Sequence, residues 1–345
     1  MTKIIALYLP QYHEFEENNL WWGEGFTEWT CVRSAVSLDP DHRIKRPHSD
    51  IGYYSLLDKD IRAKQARMAK KYGVYGFCYY HYWFGDKVLM DSVLKKMLED
   101  GEPDIPFCLS WANEPWTRRM NGGNGELLQP NNYGDEEEWE KHLDYLLPFF
   151  KSKNYIKIDG KPLFIIYRVS QIKNFKRRFE YWRSRMIDLG FNGIFLVMTI
   201  GNFFVDDFKS YAEYFDASFD FYPNFLWDEK MIERIVQNKA AFYDMRKVYD
   251  RIISDKPVHK NHFKGTMVGF DSSPRSPIRC NVFVKNTPKL FEDNLKSIIR
   301  SNSSEFIFIN AWNEWGEGCA LEPEEIDEYG YLEAIKKAKK ADIKL

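Results

Sequence analysis

Two glutamates three positions apart, Glu314 and Glu317, stand in the segment Trp312-Asn313-Glu314-Trp315-Gly316-Glu317-Gly318. Like charges held close resist joint ionisation, so one carboxyl keeps its proton near neutral pH while the other stays anionic. That division is what acid/base transfer of a glycosyl group requires. A solvated acidic loop is the competing account of such a pair; the apolar run just before it and the flanking Trp312 and Trp315 favour a walled cavity. A third carboxylate, Glu114, sits in Trp111-Ala112-Asn113-Glu114-Pro115-Trp116. It either faces Glu314 across a glycosidic bond as the second member of a conventional pair, or holds Arg118 or Arg119 in place.

Sugars present C–H faces and hydroxyl edges, so aromatic rings beside carboxylates and amides match them. Glu24 and Glu28 lie in Trp21-Trp22-Gly23-Glu24-Gly25-Phe26-Thr27-Glu28-Trp29 and suit hydroxyl binding better than proton transfer. Trp21, Trp22, Trp29 and Trp116 are expected to line a groove, with Trp111, Asn113, Trp312, Asn313 and Trp315 beside it. Tyr8, Gln11, His13, His81 and Asp271 complete the candidate set, although a strand-end histidine is as often structural. Aromatic residues make up 17% of the chain, and many fall in polar, glycine-rich stretches where a core cannot be the reason. His259 and His262 form only an H-x-x-H pair, read as surface loop. With no G-x-S-x-G elbow, phosphate loop or H-E-x-x-H pair, lipase, NTPase and zincin chemistry lack their residues. No metal or cofactor is expected.

The elements that must position these groups are eight short apolar runs: Ile4–Leu9, Val74–Tyr80, Ile105–Trp111, Pro162–Tyr167, Gly193–Ile200, Tyr214–Tyr222, Gly265–Phe270 and Phe306–Trp312. Continuous rather than alternating hydrophobicity marks strands buried on both faces, as parallel strands are. Helical stripes lie between most of them, for instance Met90, Val93, Leu94, Met97 and Leu98, or Trp139, Leu143, Leu146, Leu147 and Phe150 behind Asp135 as a cap. Another runs from Ile172 to Leu189 before Gly190. The alternation predicts an α/β fold, a single (β/α)8 TIM barrel over residues 1–345 with long active-face loops. Insertions at about 10–55, 112–134 and 271–288 follow strands one, three and seven and would crown the catalytic end of the barrel.

With 49 basic and 51 acidic side chains the formal charge is −2, which does not favour a nucleic-acid partner. The apolar run at the amino terminus is too short for a signal peptide, and no segment approaches the roughly 18 apolar residues of a membrane span. Five cysteines, odd in number and widely spaced without a C-x-x-C pair, support neither a disulfide framework nor a zinc knuckle, so a cytoplasmic setting is expected.

The last-strand segment Trp312 to Gly318, followed by Leu321-Glu322-Pro323, resembles the N-E-W-x-E-G signature of glycoside hydrolase family 99, the endo-acting α-mannosidases and mannanases. Tyr8-Leu9-Pro10-Gln11-Tyr12-His13, the stretch from Trp22 to Trp29 and that from Trp111 to Trp116 resemble the related WbsX-type branch, found in bacterial O-antigen and capsule gene clusters and commonly labelled glycosyltransferase. This second likeness spans essentially the whole chain. The resemblance implies a retaining mechanism without a glycosyl-enzyme: Glu314 as general base deprotonates the sugar 2-hydroxyl, which attacks C1 to give a 1,2-anhydro sugar, and Glu317 as general acid protonates the leaving oxygen. Gly316 departs from the histidine of the mannosidases, so their substrate preference does not transfer. The expected substrate is an oligosaccharide or polysaccharide, mannose-like or from a bacterial surface. Three classes stay open: an endo-acting glycosidase, a glycosyltransferase or transglycosylase of lipopolysaccharide O-antigen or capsule biosynthesis, and a non-catalytic sugar-binding barrel.

Overall fold

A computed structural model describes residues 2–85, 87–118, 125–201, 208–223, 229–236, 240–257 and 259–342. Strands and helices alternate along the chain. They run β1 (Lys3–Tyr8), α1 (Lys59–Tyr72), β2 (Gly76–Trp83), α2 (Ser92–Asp100), β3 (Phe107–Trp111), α3 (Glu136–Lys151), β4 (Lys161–Ile166), α4 (Phe175–Asp188), β5 (Phe195–Ile200), α5 (Phe208–Ala212), β6 (Ala217–Asp220), α6 (Met245–Ser254), β7 (His262–Met267), α7 (Pro288–Ser301), β8 (Phe306–Asn310) and α8 (Gly330–Asp342). Each strand pairs in parallel with the next, and β8 returns onto β1 through Ile4 opposite Ile307. The sheet therefore closes into the expected (β/α)8 TIM barrel.

The strands form because their residues find apolar neighbours on both faces; all eight positions of β2, Gly76 to Trp83, are buried. Gly265 has a different reason to be where it is, since a Cβ there would run into the Asp220 carbonyl of the neighbouring β6. Helices start where the sequence supplies caps. The Asp58 side chain accepts from Asp60 N ahead of α1, and Asp135 accepts from Glu137 N ahead of α3. Strand seven lies three residues earlier than its apolar run suggests, at His262–Met267, because Val268 to Phe270 already belong to the loop that leads to the site.

Parallel strands deliver all their carboxyl ends to one face, so the segments after β1, β3 and β7 emerge together. A further element was not legible beforehand: Ile232–Val236 pairs antiparallel with Ala240–Asp244, which pairs in parallel with Cys280–Val284. This three-stranded sheet joins the segments that follow β6 and β7. It carries a small core of its own in Phe242, Val282 and Val284. Among the described residues no helix is long and apolar enough to cross a membrane.

Candidate functional site

The chain leaving β8 is fixed before it reaches the glutamates. Asn313 uses both ends of its amide, Oδ1 accepting from Leu9 N at 2.8 Å and Nδ2 donating to Leu9 O at 3.0 Å, which ties the end of β8 to the end of β1. The Tyr12 hydroxyl donates to Asn313 O at 2.5 Å and accepts from Trp315 N at 3.0 Å. Asn313 and Glu314 then pair antiparallel with Ala320 and Cys319, closing a small hairpin around the turn Trp315–Glu317. Glu314 and Glu317 thus project from one rigid loop into one cavity.

That cavity is about 390 Å3 and opens at the carboxyl end of the barrel. Glu314, only 6% exposed, lies at its base. Glu317 is more open, its side chain 29% exposed. One guanidinium links them: Arg275 Nη2 lies 3.0 Å from Glu314 Oε2 and 3.0 Å from Glu28 Oε2, and Nη1 pairs with Glu317 Oε1. Gly316 makes room for this arrangement, since a Cβ there would run into the Glu28 carboxylate and stand 2.9 Å from Arg275 Nε. Burial pushes the Glu314 carboxyl up to about 8, with Arg275 pulling it down and the neighbouring Glu317 and Glu28 pushing it further up. Although burial opposes it, Arg275 stays firmly charged because three carboxylates surround it.

The rest of the lining comes from β2, from the segments after β3 and β4, and, through Trp22, from the segment after β1. Tyr80, Tyr82, Tyr167, Trp22 and Trp116 belong to it together with Glu114. Burial raises the phenols of Tyr80 and Tyr82 well above their usual range, so both face the cavity as neutral hydroxyls. Glu114 forms an ion pair with Arg168, which follows β4. Asn113 clamps that arginine from behind, accepting from Arg168 N at 2.7 Å and donating to Arg168 O at 2.8 Å. Arg118 instead pairs with Glu126 and donates to Trp21 O, and Arg119 lies outside the described residues.

Of the residues expected from sequence, Gln11, Trp22, Glu114, Trp116, Glu314 and Glu317 line the cavity, and Glu28 reaches it through Arg275. Others share the barrel end but point elsewhere. The Tyr8 hydroxyl donates to Gln65 on α1, His81 Nε2 lies 2.9 Å from His142 Nε2 on α3, and Trp111 packs on Arg178 and Trp182 of α4. In a strand buried on both faces, alternate side chains face the helices, and these three belong to that set. Trp29 is core rather than groove: it is buried among Tyr12, Tyr54 and Trp315, with its indole N–H on Tyr54 O. Trp312, Asn313 and Trp315 are fully enclosed behind the loop.

His13, which burial holds at about 4 and so neutral, and the exposed Glu24 do not line the cavity. Asp271 lies behind the Glu317 turn, its N–H donating to Glu317 O at 2.7 Å and its carboxylate bound to His42 Nε2 at 2.8 Å. Trp21 is half-buried against Trp116. His262, offered as surface loop, is buried between Ser218 and Asp220. The residues sequence reasoning missed are Tyr80, Tyr82, Tyr167 and Arg168; the pivotal Arg275 lies in the 271–288 insertion expected at the catalytic end, but its role as the link between the glutamates was not foreseen. For Tyr80 and Tyr82 a signal existed: with His81 assigned outward, a strand's period of two turns both neighbours inward.

Solved structures of similar fold include the GH99 endo-alpha-mannosidase from Bacteroides thetaiotaomicron, 16% identical with a TM-score of 0.60 over 99% of this chain and 96% of that one. A glycoside hydrolase-like protein is 15% identical, with a TM-score of 0.61 over 98% of this chain and 93% of its own. At such identities the likeness is one of fold. The protein WxcX of Xanthomonas campestris pv. campestris strain B100, described as uncharacterized, is 30% identical over 346 residues, 97% of this chain and 49% of that protein. WxcX of strain ATCC 33913 matches to the same extent, so the chain spans about half the length of the curated relatives it matches. A family model described as glycosyltransferase WbsX matches residues 4–335, nearly the whole barrel, and the chain belongs to the WbsX family.

Proposed function

We propose that the chain is a carbohydrate-active enzyme of retaining, glycosidase-type chemistry, endo-acting on a mannose-like or bacterial surface polysaccharide glycan. The observation that carries this reading is the pair of carboxylates issuing from one locked loop, one buried and one partly open, at the base of an aromatic-walled cavity. A conventional nucleophile mechanism places its two carboxyl groups on opposite sides of the scissile bond. Glu314 and Glu317 instead issue from one short loop and share one arginine, and neither has to bond to C1 when the nucleophile is the sugar's own 2-hydroxyl.

In that reaction the ionised form of Glu314, whose share grows as the pH approaches 8, takes the 2-hydroxyl proton as O2 bonds to C1. The bond from C1 to the leaving oxygen breaks, and Glu317 supplies the proton that the departing oxygen needs. An incoming hydroxyl then opens the 1,2-anhydro ring at C1, giving its proton to Glu317 while O2 recovers its own from Glu314. Retention follows from two displacements at C1. Tyr80, Tyr82, Trp22 and Trp116 present rings and hydroxyls to the sugar, and the Glu114–Arg168 pair offers polar contacts across the cavity.

A second reading is favoured by the description of the family. If the hydroxyl that opens the anhydro ring belongs to another sugar, the same residues perform glycosyl transfer. A cytoplasmic setting is part of this proposal, supported by five buried cysteines that are all free thiols. Incubation with a panel of bacterial polysaccharides, with products sized by mass spectrometry, tests the proposal. Shortened chains indicate hydrolysis and re-lengthened chains transfer; binding without new products on any glycan points to a silent sugar-binding barrel.

A further inference from the structure

Behind the reactive loop lies a carboxylate that the proposed chemistry does not use. Glu322 is 1% exposed and sits eight residues after Glu314. Its Oε1 accepts from Gln65 Nε2 at 2.7 Å and from Trp312 Nε1 at 3.1 Å. Its Oε2 accepts from the Tyr54 hydroxyl at 2.7 Å and from Trp315 Nε1 at 2.8 Å. Four donors on two oxygens favour a carboxylate over an amide, which would turn an N–H2 towards two of them, and they pull down a carboxyl that burial pushes up to about 7. Two of the donors are the indoles that bracket Asn313 and Glu314 in the chain. The other two anchor the loop to α1 and to the segment after β1, where Gln65 is held in turn by the Tyr8 hydroxyl at 2.6 Å. Burying a carboxyl and committing four donors to it is expensive unless the geometry it fixes matters.

We propose that Glu322 is a positioning residue for the reaction: by holding the Trp312 and Trp315 indoles from behind, it fixes the depth at which Glu314 sits in the cavity. The proposal rests on the role given to Glu314, but it concerns where that carboxyl is held and can be tested without a substrate. Glu314 titrates high because it is buried, so a loop released from Glu322 admits water and lets Glu314 ionise at lower pH.

The test follows the carbonyl band of protonated Glu314 by infrared difference spectroscopy across pH. Each protein is measured against its own Glu314→Gln counterpart, so that Glu322 and other carboxyls cancel. The wild-type midpoint is expected near 8. In Glu322→Gln it is expected to fall by about one pH unit, and in Trp315→Phe, which removes one of the four donors, by a smaller amount in the same direction. Unchanged midpoints in variants that retain the wild-type circular dichroism overturn the proposal. Should Glu322→Gln fail to fold, Trp315→Phe decides alone, a downward shift supporting the role and an unchanged midpoint ending it. Where turnover is available, a positioning role lowers kcat with little change in KM. Absence of any glycan turnover would count against the proposed function and leave the infrared result standing.

Discussion

The two walls of the barrel mouth are built on different plans. On the side of β7, β8 and β1 the wall is polar and locked: Arg275 joins three carboxylates, Asn313 and Tyr12 pin the backbone, and Asp271 and Glu322 brace the loop from behind. On the side of β2, β3 and β4 the wall is made of rings, with one ion pair, Glu114 to Arg168, among them. Groups that move protons must be held to a fraction of an ångström, whereas ring faces that cover a sugar tolerate small displacements. Under the proposed function, chemistry belongs to the first wall and recognition to the second, and mutations on each should fail differently.

The largest effects belong to the locked wall. Glu317→Gln should cut activity on a natural glycan by about 10²–10⁴ yet spare much of the bond-breaking step on an activated aryl glycoside, whose leaving group needs no proton. Glu314→Gln should impair both substrates. Steady-state kinetics on the two substrates check the split, and equal losses for Glu317→Gln would remove its role as acid.

Next comes the arginine that holds the wall together. Arg275→Gln leaves Glu28, Glu314 and Glu317 without their shared cation and should destabilise the fold by about 3–5 kcal/mol at neutral pH. The loss should shrink as the pH falls from 8 and Glu314 takes up its proton, which denaturant titrations at pH 5 and pH 8 would show. Gly316→Ala should act in the same direction by about 1–3 kcal/mol, because its methyl displaces the Glu28–Arg275 pair.

The ring wall separates binding from stability. Trp116→Ala should weaken oligosaccharide binding by about 0.5–1.5 kcal/mol with little change in melting temperature. Trp29→Ala, although from the same tryptophan-rich segment as Trp22, should cost about 3–5 kcal/mol of stability, because that ring is core. Calorimetric binding and melting curves on both variants would blur the two walls if they behaved alike.

A further effect is expected from pH alone. Glu314 titrates near 8 in the fold against 4.5 ordinarily, so the native state holds a proton that the unfolded chain has released. Stability should therefore decline as pH climbs from the ordinary carboxylate range towards 8, and Glu314→Gln should flatten that decline. Activity should rise over the approach to 8 as the base form of Glu314 appears.

Much of the scaffold was legible because parallel strands buried on both faces write themselves as continuous apolar runs, and all eight runs became barrel strands. Glu314 and Glu317 were legible because two carboxylates directly after such a run have few places to go except the barrel mouth. What the same signal hides is direction. When both faces of a strand are apolar, nothing in the local pattern says whether His81 or its neighbours Tyr80 and Tyr82 look inward. The histidine attracted attention through its chemistry, while the tyrosines line the cavity. Arg275 was legible only as part of the 271–288 insertion, because its reach to the glutamates is set by a loop braced by Asp271 and by the small sheet through Cys280–Val284, which pairs with a segment about 40 residues earlier. Trp29 misled because its neighbours in sequence are polar and glycine-rich, while its neighbours in space, Tyr12, Tyr54 and Trp315, are not.

The central claim is that the sugar's own 2-hydroxyl, activated by Glu314, is the nucleophile. Once a substrate glycan is in hand, the most direct measurement compares its turnover with that of the analogue lacking the 2-hydroxyl at the scissile sugar. The account predicts that the wild type leaves the 2-deoxy analogue intact while still binding it. Turnover at a rate comparable to the parent, or a sugar trapped covalently on Glu114, Glu314 or Glu317, would contradict it and restore the opposed pair of Glu114 and Glu314 as the working carboxylates.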